Sequence, residues 1–190
     1  WDRFDALQAE LEALPKTYKA VLERAGVASD GDGAPGRLNA GHFAQCGFSA
    51  GDLKQAGFRE GALVYSVTAA NVELRWAKEL VKDGGNVWAY TKDNLPGQTA
   101  DLTLSGGAAF VTKLHLTNYY DNNDTVKNCR LDYKDPSGSW QEGTTFQSEK
   151  TKARQSFDIT SGVATTEWRI VVLDTYGGAS CIKKIELEGI

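Results

Sequence analysis

The chain has 190 residues, of which 41% are hydrophobic and 24% charged, with a formal net charge of −4. This is enough for one sizeable domain and a smaller appendage, in an ordinary globular composition. An acidic balance gives no basic field to gather phosphates, which excludes nucleic acid as the expected partner; no apolar run approaches the roughly 20 residues that span a bilayer.

The sequence begins at Trp1 and contains no methionine, so we expect a piece cut from a longer chain, and the missing leader carries no information. Cys46, Cys129 and Cys181 form an odd set, which argues against a disulfide scaffold and for buried, reduced thiols. The sequon Asn123-Asp124-Thr125 is of a kind that arises readily by chance. The compartment therefore stays open between cytoplasmic, marginally favoured, and extracellular.

In the first segment Phe4, Leu7, Leu11, Leu14, Tyr18 and Val21 alternate steps of three and four, which predicts an amphipathic helix. The stripe fits a helix packed on its own domain, or the tail of a coiled coil through which the chain would self-associate. Pro15 kinks the pattern or starts a second helix. Residues 27–37 form a Gly- and Asp-rich loop. Over 16–48 the helix, the loop and Leu38 resemble a single EF-hand, which implies Asp30 and Asp32 as Ca²⁺ ligands. His42 stands where the closing carboxylate should be, so the expectation is a degenerate, metal-free relic.

Gly41–Phe48 is echoed ten residues later by Gly51–Phe58. Each copy predicts a short helix stopped by a left-handed Gly with a Phe folded back, and Ser49 and Asp52 can cap the second. The unit resembles the Leu-Lys-x-Ala-Gly-Phe arrays of various multidomain proteins. Residues 62–67 can be a strand, and 71–81 read as helix with Val72, Trp76 and Leu80 on one face. Gly84-Gly85 ends that helix, and we place the domain boundary there: a helical segment over 1–84, then a β domain over 85–190.

From Asn86 the hydrophobic period becomes two. Strands are predicted near 86–91, 100–105, 109–119, 127–134, 143–147, 153–159, 166–174 and 180–188, separated by turns such as Asp135-Pro136-Ser137-Gly138. Short strands at this spacing indicate an antiparallel sandwich or barrel, so the chain is expected to be α+β overall.

Asn128–Tyr133, Pro136-Ser137-Gly138-Ser139-Trp140, Trp168-Arg169-Ile170 and the closing Ile185-Glu186-Leu187-Glu188-Gly189 resemble, over about 86–190, the discoidin or coagulation-factor C-type domain of the galactose-binding-like jelly-roll superfamily. The resemblance implies an antiparallel β-sandwich that binds through loops at one end. It also implies a structural Ca²⁺, for which Asp93, Asn94, Asp101 and Glu186 are the available donors, against the alternative of a metal-free turn.

No catalytic constellation is visible. The only histidines are His42 and His115, and His115, alternating with Leu114 and Leu116, is expected to face solvent or line a sheet face. No Gly-x-Ser-x-Gly, phosphate loop, HExxH or CxxC occurs. The binding candidates are Tyr119, Tyr120, Asp121, Asn123, Arg154 and Tyr176, because aromatic faces stack on sugars while Asn, Asp and Arg bond hydroxyls. Trp140 and Trp168 are assigned to the core. The reading is a non-catalytic interaction module, with a protein partner preferred and a lectin-like carbohydrate-binding module, with or without Ca²⁺ assistance, as the alternative.

Overall fold

The structure is a computed structural model that describes residues 43–44, 47–55, 59–71, 77–82, 88–89, 97–119, 124–177 and 180–190. The N-terminal helix with its self-association stripe, the EF-hand-like loop with Asp30 and Asp32, and Asp93, Tyr120, Asp121 and Asn123 lie outside the described residues.

Among the described residues, eleven strands make two sheets. The first orders β1 (Gly61–Leu63), β11 (Cys181–Gly189), β5 (Ala109–Asn118) and β8 (Arg154–Asp158), with β3 (Trp88–Ala89) on β11 and β9 (Ala164–Thr165) on β5. The second orders β2 (Tyr65–Ala70), β4 (Gln98–Leu104), β10 (Glu167–Val172), β6 (Asn128–Lys134) and β7 (Trp140–Gln147). Every pairing between named strands is antiparallel.

The strands owe their faces to the two-residue period. On β4, Gln98, Ala100, Leu102 and Leu104 are buried while Thr99, Asp101 and Thr103 point outward. Trp168, Ile170 and Val172 of β10 face Leu114 and Leu116 of β5 and Ile185 and Leu187 of β11 within one core. Fully burying side chains of this size stabilises by about 1.5–3 kcal/mol each.

Helix α1 (Ala50–Gln55) sits over the end of the sandwich through a second cluster of Leu53 and Phe110, with Phe43, Phe48, Ala164 and Ile190 packed against it. Its cap is the expected one: Asp52 N donates to Ser49 Oγ at 3.2 Å, and Asp52 Oδ2 accepts from Ser49 N and Oγ, both at 2.7 Å. The turn before it also closes as expected. Gly47 has φ +87°, Gly47 N donates to Ala44 O, and Phe48 N donates to Phe43 O.

Two expectations need correction. Residues 61–70 belong to the sandwich, since β1 pairs with β11 and β2 with β4, so a boundary at 84/85 cuts through both sheets. Trp140 is not core: it starts β7 beside Lys134 at the sheet edge, half-exposed, with the Arg169 guanidinium 4.0 Å from its ring centroid. Trp168 takes the interior place and donates from Nε1 to Thr165 O at 3.2 Å. In 71–81, the described part is a 3-10 turn over Lys78–Val81 with Leu80 buried, and 72–76 lie outside the described residues. Cys129 and Cys181 are buried thiols, and burial pushes the Cys129 thiol up.

Candidate functional site

One pole of the sandwich gathers the end of β5, the approach to β6, the end of β7, the exit of β10 and the start of β11. Tyr119 N donates to Cys181 O at 3.3 Å, Cys181 N to Asp124 O at 3.0 Å, and Tyr176 N to Thr125 O at 3.1 Å. Four backbones therefore lie side by side, which sets Tyr119 and Tyr176 about 14 Å apart at ordinary strand spacing. Both tyrosines are half-exposed.

Ser148 is the hub of this pole. Its N–H donates to Lys127 O at 2.8 Å, its hydroxyl donates to Val126 O, and its carbonyl accepts the Tyr176 hydroxyl at 2.8 Å. Asn118 Nδ2 donates to Ser148 Oγ at 3.3 Å and Glu149 O at 3.2 Å. The Tyr176 ring is thus anchored at its tip, and the Lys127 ammonium lies 5.8 Å from its centroid. Within this tightly tied region Asn118 Oδ1 and Thr125 Oγ1 are buried without a hydrogen-bond partner. Each such orphan costs about 1–3 kcal/mol.

Tyr119 and Tyr176 thus come to the same pole, but Arg154 does not join them. It stands at the start of β8 on the outer face of the first sheet, with Nε 2.9 Å from Glu186 Oε2 and Nη2 3.7 Å from Glu188 Oε1. Ser148 and Lys127 were not singled out from the sequence. A serine in a polar run carries no local mark of contacts made across the sandwich.

Of the Ca²⁺ donors implied by the resemblance, the two among the described residues, Asp101 and Glu186, do not converge. Asp101 points outward from the second sheet, gripped by Arg169 at 2.6 and 2.9 Å. Glu186 points outward from the first sheet, with the core between them. Burial pushes the Glu186 carboxyl up, but Arg154, Lys184 and His115 leave it below the usual range. Among the described residues no group of three His, Cys, Asp or Glu is placed to hold a metal ion.

At the opposite pole a cleft of about 550 Å³ lies between Phe48, Pro136 and Val163. Its charged groups are already engaged. Asp135 accepts from Ser137 N, Ser139 N and Gln141 Nε2, and Lys134 bonds Glu167 Oε1 at 2.8 Å.

The fold is the antiparallel β-sandwich also seen in F5/8 type C domains and family 32 carbohydrate-binding modules. In particular, the chain is similar to the family 32 carbohydrate-binding module of Clostridium perfringens NanJ, solved with galactose, at 18% identity and TM-score 0.53, covering 68% of this chain and 99% of that one. It is also similar to the F5/8 type C domain of a Bacteroides fragilis protein, at 16% identity and TM-score 0.53, covering 68% and 95%. A third likeness is to a family 32 module from a C. perfringens family 31 glycoside hydrolase, at 12% identity and TM-score 0.55, covering 66% and 91%. Searches against protein-family models and curated proteins find no match.

Proposed function

We propose that this chain is a non-catalytic carbohydrate-binding module that takes its sugar at the Tyr119–Tyr176 pole. The observation that carries the reading is a pair of half-exposed tyrosines, Tyr119 and Tyr176, brought to one end of a sandwich. A pyranose presents an apolar face on which such a ring stacks. The neighbours support this glycan alternative over the protein partner preferred from sequence, since several are named as carbohydrate-binding modules and one was solved with galactose.

Titration calorimetry of the whole chain with galactose, backed by a glycan array, tests the reading. Saturable binding is expected, weakened at least tenfold by Tyr176→Ala, with Tyr119→Ala weakening it in the same direction. Undiminished binding in both variants, or no glycan bound at all, returns the choice to a protein partner.

A further inference from the structure

We propose that the ligand site continues from the loop pole down the outer face of the β11–β5–β8 sheet, so that the module reads a neutral oligosaccharide chain and not a terminal sugar alone. The proposal rests on the glycan reading of the pole.

Continuity comes from the period of β5. Its alternation puts Tyr119, Thr117, His115 and Lys113 on the face opposite buried Leu114 and Leu116. Register sets Arg154 and Lys184 beside Thr117, Ser156 and Glu186 beside His115, and Asp158 and Glu188 beside Lys113. From Tyr119 to Lys113 this row runs about 20 Å at the rise of a strand, longer than one monosaccharide.

Its charge states the class of ligand. Three cations, Lys113, Arg154 and Lys184, stand against three anions, Asp158, Glu186 and Glu188. A balanced face selects neither a phosphate nor a cation. Its groups are also held in place, with Arg154 Nε on Glu186 Oε2 at 2.9 Å. A guanidinium has five N–H donors and a carboxylate about four acceptor sites, so the pair keeps spare capacity for neighbouring hydroxyls.

An independent sign lies at the centre. The His115 side chain is 5% exposed and bonds Ser156 Oγ through Nδ1 at 2.7 Å. Its Nε2 lies 2.9 Å from Glu188 Oε1, yet out of line, and makes no hydrogen bond. A buried ring nitrogen held 2.9 Å from a carboxylate but out of line with it is only partly satisfied. It is relieved if a chain hydroxyl re-aims Glu188 above it.

The test is calorimetry of the full chain with galactose and with β-1,4-linked galactotetraose. The tetraose is expected to bind at least tenfold more tightly than galactose. Glu186→Gln and Ser156→Ala are each expected to remove most of that gain and leave galactose affinity near wild type, with the melting temperature unchanged in Glu186→Gln. Equal affinity for the two sugars overturns this inference alone, as does a loss shared equally by both. Failure of either sugar to bind overturns the pole reading and this one with it.

Discussion

Gly189 shows how much a single position depends on a distant strand. A Cβ there would sit 2.0 Å from the Phe110 carbonyl oxygen and 2.9 Å from Leu63 Cδ1. Ile190 N also donates to Phe110 O at 3.1 Å, so β11 is pulled against the start of β5. We expect Gly189→Ala to cost about 1–3 kcal/mol as the strands are forced apart. Gly106→Ala, where nothing lies within 4 Å of the added carbon, should leave stability near wild type. Urea midpoints for the two variants decide it, and equal midpoints would sink the close-approach account. From the sequence, Gly189 is legible as the end of a strand, but the clash is not, because Phe110 lies far off along the chain. The same holds for His115. Its alternation with Leu114 and Leu116 places it on the outer face, but the Ser156, Glu186 and Glu188 neighbours that bury it come from β8 and β11.

Elements were more legible than contacts. The two-residue period is clean along β4 and the second half of β11, while β5 and β10 carry runs of three buried residues. The short edge strands β1 and β2 were ambiguous, since three to six residues cannot distinguish a period. The turn between β6 and β7 was clear because its chemistry is local. Asp135 Oδ1 takes Ser137 N at 2.8 Å and Ser139 N at 2.9 Å, and Gly138 supplies a φ of +85°. The Ser137 hydroxyl, with the Ser139 and Ser137 amides and Gln141, holds the Asp135 carboxyl down at about 2, against an ordinary value of 3.8. A folded-state value below the unfolded one gives stability that is complete above the unfolded value and disappears as pH falls through the folded one. The wild type should therefore lose stability between about pH 4 and pH 2 from this hairpin, and Asp135→Asn should lose less over the same window. Urea midpoints taken from pH 5 downward test this, and parallel curves for the two proteins would remove Asp135 as the source.

At the scale of the whole molecule the sandwich was readable and its extent was not. The resemblance that begins near residue 86 rests on motifs from β6 onward, which say nothing about strands supplied from upstream. Residues 85–190 make up little more than half of the chain, yet the solved neighbours cover 66% to 68% of it. The contacts explain the difference. Tyr65 and Val67 of β2 and Leu80 of the 3-10 turn belong to the main core, and the Tyr65 hydroxyl donates to Ile185 O at 2.8 Å, joining one sheet to the other. We therefore propose that the folding unit includes everything from α1 to the last strand. A fragment of residues 85–190 loses those three side chains, worth about 4–9 kcal/mol together, which rivals the 5–15 kcal/mol total of a typical domain. It also leaves β4 and β11 with open edges that invite aggregation. A fragment of residues 43–190 should unfold cooperatively and give a dispersed amide spectrum, whereas 85–190 should give neither. A cooperative transition in the shorter fragment, near the stability of the longer, would restore the boundary at 84/85 and reduce β1 and β2 to decoration.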